Sequence, residues 1–238
     1  MATAETERVL AVAGEGLEFE GLLRRASAVT PLDDWDIAFA CEATVASRSW
    51  ILVANGAGPT LAAKATTIAV ERSRPDAIIS TGLCGACDPA LPAGSILVAT
   101  QVVDQHGRCY PAQLPVLPAP AHCGALVSQD RVAVTAEEKA ELFAAGPRAV
   151  EMEAAAVAEV AQRAGIPFYC IRVVSDDAQS SLPLDFNRYR KADGRFSRRR
   201  IALAAMLRPG TIPELIRFDT ACRRSAILLG DTLADCRL

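Results

Sequence analysis

The stretch "PDAIISTGLCGACDPALPAGSILVAT", residues 75–100, consists of two apolar runs joined by a glycine-rich segment. The first run, 75–82, and the second, which continues to residue 104, each predict a buried β-strand. Strands that are apolar along their whole length are typical of a sheet covered on both faces. This stretch therefore predicts the centre of a sheet whose strands carry glycine turns at their ends.

The sequence on either side repeats the alternation of strand and helix. Further apolar runs predict strands at 8–14, 50–58, 123–129 and 166–177. Helices are predicted at 15–26, 59–73 and 150–165 and over most of the chain after about 185, whereas four prolines make 107–121 a loop. This order predicts an α/β fold, with a central mixed, mostly parallel, twisted sheet flanked by helices and with residues 1–238 in one domain.

Composition excludes several classes of protein. A net charge of −3 gives no reason to expect wholesale nucleic-acid binding. The chain contains no apolar run of membrane-spanning length, and its beginning, "MATAETERVL", lacks the pattern of a secretion signal. Eight scattered cysteines without an export signal indicate reduced thiols and a cytoplasmic location. No metal or cofactor is expected.

Cys84 and Cys87 form a C-x-x-C pair within the glycine-rich segment. A structural zinc site needs four ligands, and neither a second such pair nor a suitably spaced histidine is present. A redox pair is expected at the start of a helix, but Asp88 and Pro89 follow here. The favoured interpretation is a tight turn built of small residues. His106 and His122 are expected at the surface.

Two clusters of polar residues follow predicted strands. Glu151 and Glu153 stand where a strand leads into a helix, and acidic residues in a first helical turn need no functional explanation. Ser175, Asp176 and Asp177 end the strand that contains "IRVVSDD". A polar loop after a strand is equally ordinary. Only the combination of the two clusters indicates a function.

That combination resembles the "EMEA" and "R-x-x-S-D" motifs of the purine and uridine phosphorylase superfamily. It is most similar to its nucleosidases for 5′-methylthioadenosine and S-adenosylhomocysteine. The resemblance extends over most of the chain through "AGEGLEFEGLL" (13–23), "NGAGP" (55–59), "GALVSQDRVAVT" (124–135) and "VEMEAAAVAEV" (150–160). It implies cleavage of an N-glycosidic bond in a small-molecule nucleoside, with the C-x-x-C pair in a substrate loop.

The resemblance also implies roles for individual residues. Asp176 would protonate the departing purine at N7, with Ser175 orienting this acid and Arg172 orienting the nucleophile. A glutamate near the amino terminus would activate water; Glu20 is the first choice, and Glu18 the alternative. The substrate-binding residues that the resemblance implies are Gly82, Leu83, Cys84, Gly85, Ala133, Glu151, Met152, Glu153 and Ser175.

The glycine loop also bears on the choice between water and phosphate. Phosphorylases of the superfamily bind phosphate through an arginine and a serine of this loop, and the matching positions here hold Ser80 and Leu83. Neither side chain carries a positive charge, so hydrolysis is expected. A phosphate-dependent purine nucleoside phosphorylase is the alternative. Leu83 also departs from the methylthioadenosine nucleosidases, which puts their substrate in doubt.

The segment "LPLDFNRYRKADGRFSRRRIALAAMLRPGTIPELI", residues 182–216, resembles the hopanoid-associated nucleosidases. This resemblance implies adenosylhopane, or another adenosine with a bulky apolar 5′ group, as the substrate. Arginines of the segment could then contact anionic membrane lipid, and a homodimer or higher homo-oligomer is expected. Two further alternatives are a nucleic-acid-binding module that uses this basic segment and a catalytically inactive relative that acts as a sensor.

Overall fold

The computed structural model describes residues 7–191 and 193–238, together with all side chains in that range except that of Arg198. Most of the amino-terminal stretch considered for a secretion signal therefore lies outside the described residues. Within the described range the chain forms ten strands and six α-helices. The strands are β1 (Arg8–Ala13), β2 (Ala28–Pro31), β3 (Phe39–Val45), β4 (Arg48–Ala54), β5 (Ala77–Ala86), β6 (Ile96–Asp104), β7 (Cys109–Pro111), β8 (His122–Ser128), β9 (Ala149–Glu151) and β10 (Phe168–Asp176). The helices are α1 (Glu20–Arg24), α2 (Pro59–Ser73), α3 (Ala136–Ala144), α4 (Ala154–Ala164), α5 (Arg198–Leu207) and α6 (Ile212–Asp235).

All ten strands belong to one mixed sheet, so the predicted α/β fold with a central mixed sheet and flanking helices is confirmed. β5 pairs in parallel with β1 on one side and with β10 on the other. Farther along, β5 also pairs with β9, and β9, β8, β6 and β10 follow in order. These five strands close into a ring through β5, while β1, β4, β3 and β2 extend the sheet outward. That one domain includes the whole chain, residues 1–238, stays a prediction.

Local chemistry explains where the helices begin and end. Pro59 occupies the first turn of α2, where its missing N–H breaks no helical hydrogen bond. α4 ends at Gly165, whose φ of 68° lies in the left-handed region that glycine adopts without steric cost. The alanine and valine side chains of α4 are buried against the sheet. Both helix ends match the prediction from the sequence.

Several elements differ from the sequence prediction. β2, β3 and α3 were not predicted, and β7 interrupts the predicted loop 107–121. The predicted helix 150–165 begins at Ala154, because residues up to Glu151 form β9 and only then does the chain turn. β5 continues through the glycine-rich segment to Ala86, so the expected turn at residues 82–86 is extended strand. This extension determines the geometry of the candidate site.

The apolar core lies on both faces of the sheet. One cluster joins the sheet to α2 and α4, and a second joins it to α1 and α6. Trp50 and Phe19 are fully buried in the second cluster. Among the described residues, no helix combines the length and the apolar character needed to cross a bilayer.

Candidate active site

β5 and β10 bring the predicted glycine loop beside the predicted acid. Their parallel register places Gly82 opposite Arg172 and Leu83 opposite Val173. The register then shifts between Val174 and Asp176, so that Asp176 lies opposite Gly85. Such a bulge adds one residue, here Ser175, and re-aims the side chains around it. The pairing of β10 with β5 thus places Asp176 beside the glycine-rich half of β5.

Glu18 lies at the Gly82 end of this segment. Its Oε1 accepts a hydrogen bond from the Leu83 amide at 2.7 Å, and its Oε2 accepts one from the Glu15 amide at 2.8 Å. A Cβ added to Gly82 would lie 2.9 Å from Arg172 Nη1 and closer still to Glu18 Oε1. Gly82 also has a φ of +127°, which other residues rarely adopt. Glycine is therefore required where the carboxylate meets the strand.

Glu20 does not reach this cluster. It lies at the start of α1 with its side chain 31% exposed and forms ion pairs with Arg24 and Arg223. Two residues along a helix correspond to a rotation of about 200°, so Glu18 and Glu20 cannot both face inward. Glu18 belongs to the 3₁₀ turn before α1 and is buried. The structure therefore places Glu18, and not the first choice Glu20, beside Gly82; which glutamate activates water stays a prediction.

Arg172 links the carboxylates of the "EMEA" motif to β5. Its fully buried guanidinium donates hydrogen bonds to Glu151, to Ser80 Oγ at 2.7 Å and to the Thr81 carbonyl at 2.8 Å. Glu153 Oε2 lies 3.8 Å from Nη1 of the same arginine. Although burial disfavours the charge, Glu151 and then the other nearby acids raise the pKa of Arg172 further. Arg172 therefore stays a cation whose charge is offset within the protein.

Each of the two carboxylates also accepts backbone hydrogen bonds. Glu151 accepts from the amides of Glu153 and Ala154 at the start of α4, both at 2.9 Å. Glu153 Oε1 accepts from the Gly58 amide at 2.9 Å, which joins α4 to the "NGAGP" turn. The start of a helix favours negative charge, and Glu151 uses that position. Of these two carboxylates, only Glu153 links the start of α4 to the turn that contains Gly58.

Burial changes the protonation of Glu18 and Glu153. Loss of solvent raises the pKa of Glu18 above its usual value, although the amides of Glu15 and Leu83 oppose the shift. Loss of solvent, followed by repulsion from Glu151, raises the pKa of Glu153 to about 8, against the attraction of Arg172. A raised pKa makes a carboxylate a stronger base, which suits proton abstraction from water near neutral pH.

Asp176 lies at the Gly85 end of the glycine-rich half of β5. Its Oδ1 is hydrogen-bonded to Ser175 Oγ, which also lies 3.1 Å from the Cys84 carbonyl oxygen. A Cβ on Gly85 would lie 3.2 Å from Asp176 Oδ2, so glycine leaves room for the acid at this point. The same Oδ2 accepts from the ammonium of Lys139, a buried residue of α3 that sequence reasoning missed. α3 was not predicted, so its lysine could not be placed beside the acid.

The two cysteines of the C-x-x-C pair are buried thiols, Cys84 on β5 and Cys87 just after it. Cys84 Sγ donates to the Val173 carbonyl at 3.6 Å, and burial raises its pKa well above the usual value. Burial also raises the pKa of the Cys87 thiol to about 12. A protonated thiol is a poor nucleophile and a poor metal ligand. Among the described residues, no group of three or more His, Cys, Asp or Glu side chains is arranged to bind a metal.

The other predicted site residues lie around Gly82 and Gly85 of β5. Met152 is buried between β9 and α4, and Leu83 is half-buried on β5. Ala133 packs in a small apolar cluster with Cys87, Val127 and Val150. A Cβ on Gly85 would lie 3.6 Å from Val150 Cγ1, which puts that cluster beside the acid. His106 is exposed and His122 half-buried, and neither was assigned a role.

Part of the basic segment covers the "NGAGP" turn. Arg195 donates to the Asn55 side chain at 3.0 Å, and Arg190 forms an ion pair with Asp130 at 2.6 Å. A Cβ on Gly58 would lie 3.0 Å from Asp130 Oδ1 and closer still to Arg190 Nη2. These contacts hold Arg190 and Arg195 against the site, whereas Arg188, Lys191, Arg199 and Arg200 are solvent-exposed.

Comparison with known proteins identifies the family. Residues 38–207, more than two thirds of the chain, match the model of the phosphorylase superfamily. The chain is 31% identical over 175 residues to a 5′-methylthioadenosine/S-adenosylhomocysteine nucleosidase of Shewanella baltica, covering 61% of this chain and 74% of that protein. It is 32% identical over 167 residues to the nucleosidase of that name from Staphylococcus saprophyticus, covering 58% and 73%.

Solved structures agree on the fold. The nucleosidase of Neisseria meningitidis, crystallised with methylthio-immucillin-A, superimposes with a TM-score of 0.71 at 22% identity, covering 96% of this chain and 97% of that one. The S-adenosylhomocysteine nucleosidase of Streptococcus pyogenes gives 0.72 at 20% identity, covering 99% and 97%. The chain belongs to the phosphorylase superfamily. It is an enzyme of the nucleosidase type, an N-glycosyl hydrolase.

Proposed function

We propose that this enzyme hydrolyses the N-glycosidic bond of a 5′-substituted adenosine and releases adenine. One observation carries the proposal: Gly82 and Gly85 of β5 each make room for a carboxylate, Glu18 at one end and Asp176 at the other. Gly82 and Gly85 are three residues apart on β5, and three residues of extended strand span ~10 Å. Relatives named methylthioadenosine/S-adenosylhomocysteine nucleosidases support the substrate class.

The proposed mechanism divides the chemistry between these two groups. Glu18 takes a proton from water at the sugar side, and Asp176 gives a proton to N7 of the departing adenine. The bond breaks through an oxocarbenium-like sugar cation, near which the negative charge of the Glu18 carboxylate is favourable. Glu153 accepts hydrogen bonds from the ribose hydroxyls, and Met152 packs against the sugar. Ser175 orients Asp176, and Arg172 fixes the positions of Glu151 and Glu153.

Two features support water over phosphate as the nucleophile. Arg172 already donates hydrogen bonds to Glu151, Ser80 and the Thr81 carbonyl, and the adjacent Glu151 carboxylate offsets the positive charge that a phosphate dianion would need. Leu83 adds an apolar side chain where a phosphate site would need a donor. The phosphorylase alternative therefore lacks an anion-binding residue in the glycine segment.

The deciding experiment is product analysis with and without phosphate. Adenine release from 5′-methylthioadenosine or a related nucleoside should proceed in phosphate-free buffer and yield the free sugar. Formation of the sugar 1-phosphate, with no turnover when phosphate is omitted, would show a phosphorylase instead. The variant Asp176→Asn should lose about 10²-fold or more in kcat while still binding the nucleoside, because an amide cannot supply the proton. Near-full activity of this variant would refute the mechanism.

The 5′ substituent is proposed to be bulky and apolar, as in adenosylhopane. The apolar Leu83 and the resemblance of residues 182–216 to hopanoid-associated nucleosidases support this substrate. Adenosines with large apolar 5′ groups should then be cleaved at least as efficiently as methylthioadenosine, compared by kcat/KM. A clear preference for methylthioadenosine would contradict the proposal.

We further propose that α5 and the start of α6 rest on a lipid surface. Five large apolar side chains are exposed there, and Arg199, Arg200 and Arg208 are exposed nearby; the apolar residues are Leu203, Met206, Leu207, Ile212 and Ile216. An arginine near an anionic bilayer contributes on the order of 1 kcal/mol. Co-sedimentation with phosphatidylglycerol vesicles, but not with pure phosphatidylcholine vesicles, is the expected result. Equal binding to both, or to neither, would contradict it.

Location and assembly are also proposals. The eight cysteines are all free thiols, which suits the reducing cytoplasm. A homodimer or higher homo-oligomer is expected, and light scattering of the purified protein would give its mass. A monomer at assay concentration would contradict that expectation.

A further inference from the structure

Lys139 is the feature of the site that the mechanism above does not use. It is fully buried, and its ammonium donates to Asp176 Oδ2, to the Asp177 carbonyl at 2.8 Å and to the Ser180 carbonyl at 2.8 Å. All three N–H donors of the ammonium are therefore satisfied. Every partner belongs to the end of β10 or the loop after it, which is the segment that presents the proposed acid.

The position of Lys139 is unfavourable for a lysine. It is the fourth residue of α3, and the first turn of a helix favours negative rather than positive charge. Burying an ammonium also carries a desolvation cost that a single ion pair does not reliably offset. Thr135 and Glu138 already cap this helix, so α3 does not need Lys139 for its own stability. A methionine or leucine would fill the same space without a charge.

We infer that Lys139 is a positioning residue for the proton donor: it fixes the Asp176 carboxyl and stabilises the carboxylate that remains when the proton moves to adenine. The inference rests on the proposed function. In that step the Asp176 O–H bond breaks, the N7–H bond forms, and the electron pair of the glycosidic bond passes to the purine. The Asp176 carboxylate keeps its hydrogen bond from the Lys139 ammonium, and solvent returns the proton to Asp176 before the next turnover.

This role predicts a dependence on the leaving group. Adenine needs a proton to depart, whereas p-nitrophenolate leaves as a stable anion and needs none. Lys139→Met should lower kcat for adenine release from 5′-methylthioadenosine by about 10- to 100-fold, with KM changed by less than about threefold. Hydrolysis of p-nitrophenyl 5-methylthio-β-D-ribofuranoside should fall by less than about threefold in the same variant. A lysine with a purely structural role would affect both substrates equally.

The controls separate this inference from the function on which it rests. Lys64→Met makes the same change at an exposed ion pair with Asp36 and should leave both activities unchanged. If Asp176→Asn keeps full adenine release, the proposed function fails. The inference on Lys139 fails if Asp176→Asn is inactive on the adenosine but Lys139→Met is fully active. It also fails if Lys139→Met loses activity on the adenosine and on the nitrophenyl riboside to the same extent.

A second variant covers the case in which Lys139→Met does not fold, as judged by circular dichroism. Lys139→Arg keeps the positive charge but moves the donors, so it should lose adenine release in part and keep the nitrophenyl reaction. An unchanged ratio of the two activities in Lys139→Arg, relative to wild type, would overturn the inference.

Discussion

Glu18 and Glu20 show how a shift of two residues decides the chemistry of a side chain. Both glutamates stand in the same acidic stretch, "EGLEFEGLL", and the sequence does not distinguish them. In the structure Glu18 is buried against Gly82, whereas Glu20 forms surface ion pairs with Arg24 and Arg223. Exposed ion pairs of this kind contribute little to stability, so Glu20 is free to vary.

Substitution of the two glutamates tests this assignment. Glu18→Gln should lower kcat for adenine release by about 10²- to 10⁴-fold, because an amide cannot take a proton from water. Glu20→Gln is the matched control and should remain within about twofold of wild type. Steady-state kinetics on one nucleoside gives both numbers. A large loss in Glu20→Gln with an active Glu18→Gln would restore Glu20 as the base.

The raised pKa of Glu18 predicts a pH dependence. The base works when deprotonated, so kcat/KM should fall as pH drops through the pKa of the folded enzyme. Because burial raises that pKa, the fall should begin above the value of about 4.3 expected for an ordinary glutamate. Glu153 lies close to Glu18, and the two carboxyl groups influence each other's titration. The acidic side of the pH profile therefore reports the carboxylate cluster rather than Glu18 alone. Activity that stays flat down to pH 4 would contradict the assignment.

At the scale of elements, β5 separates the position beside Glu18 from the position beside Asp176. It continues as extended strand past the point where its glycines suggest a turn, and so it holds Gly82 beside Glu18 and Gly85 beside Asp176. β10 runs parallel to it and supplies Arg172 and Asp176 on either side of a bulge. Backbone hydrogen bonds between β5 and β10 thereby fix where Gly82, Gly85 and Asp176 lie relative to one another.

Gly82→Ala tests the close approach of β5 to Glu18. The added Cβ would collide with Glu18 Oε1 and adopt an unfavourable φ of +127°, so Glu18 must move. Activity should fall by at least about tenfold, and the free energy of unfolding by about 1–3 kcal/mol. Gly107→Ala is the control, because Gly107 has a φ of +81° but no atom within 4 Å of the added Cβ. If both variants lose activity equally, the collision is not the cause.

Much of the fold and of the candidate site could be predicted from local patterns. The apolar runs of β1, β4, β5, β6 and β10 and the ends of α2 and α4 follow from hydrophobicity, proline and glycine. β3 was missed because its alternating, half-buried pattern lies in a polar context. Lys139 was missed because only tertiary packing of α3 brings it to Asp176, 37 residues farther along the chain. Pairings of that kind leave no periodic pattern in a sequence.

At the scale of the whole molecule, the last helix packs against the segment that carries Glu18. α6 packs against α1 and against the 3₁₀ turn that carries Glu18, and it does so at very short range. A Cβ on Gly21 would lie 2.5 Å from the Ile227 carbonyl oxygen, and one on Gly230 would lie closer still to the Leu22 amide nitrogen. Two facing glycines therefore let the backbones of the two helices touch. The position of Glu18 depends on a helix some 200 residues farther along the chain.

Gly230→Ala tests this dependence. The added methyl group meets backbone atoms that cannot rotate away, so α6 must separate from α1, at a cost of about 1–3 kcal/mol for an overpacked contact. For a chain of this size the loss should lower Tm by about 3–10 °C. Adenine release should also fall, because the displaced α1 pulls the preceding 3₁₀ turn, and with it Glu18, away from the Leu83 amide. Gly210→Ala, at a site with no atom within 4 Å, is the control and should change neither quantity. A Gly230→Ala enzyme with lowered Tm but unchanged kcat would show that α6 stabilises the fold without positioning the base.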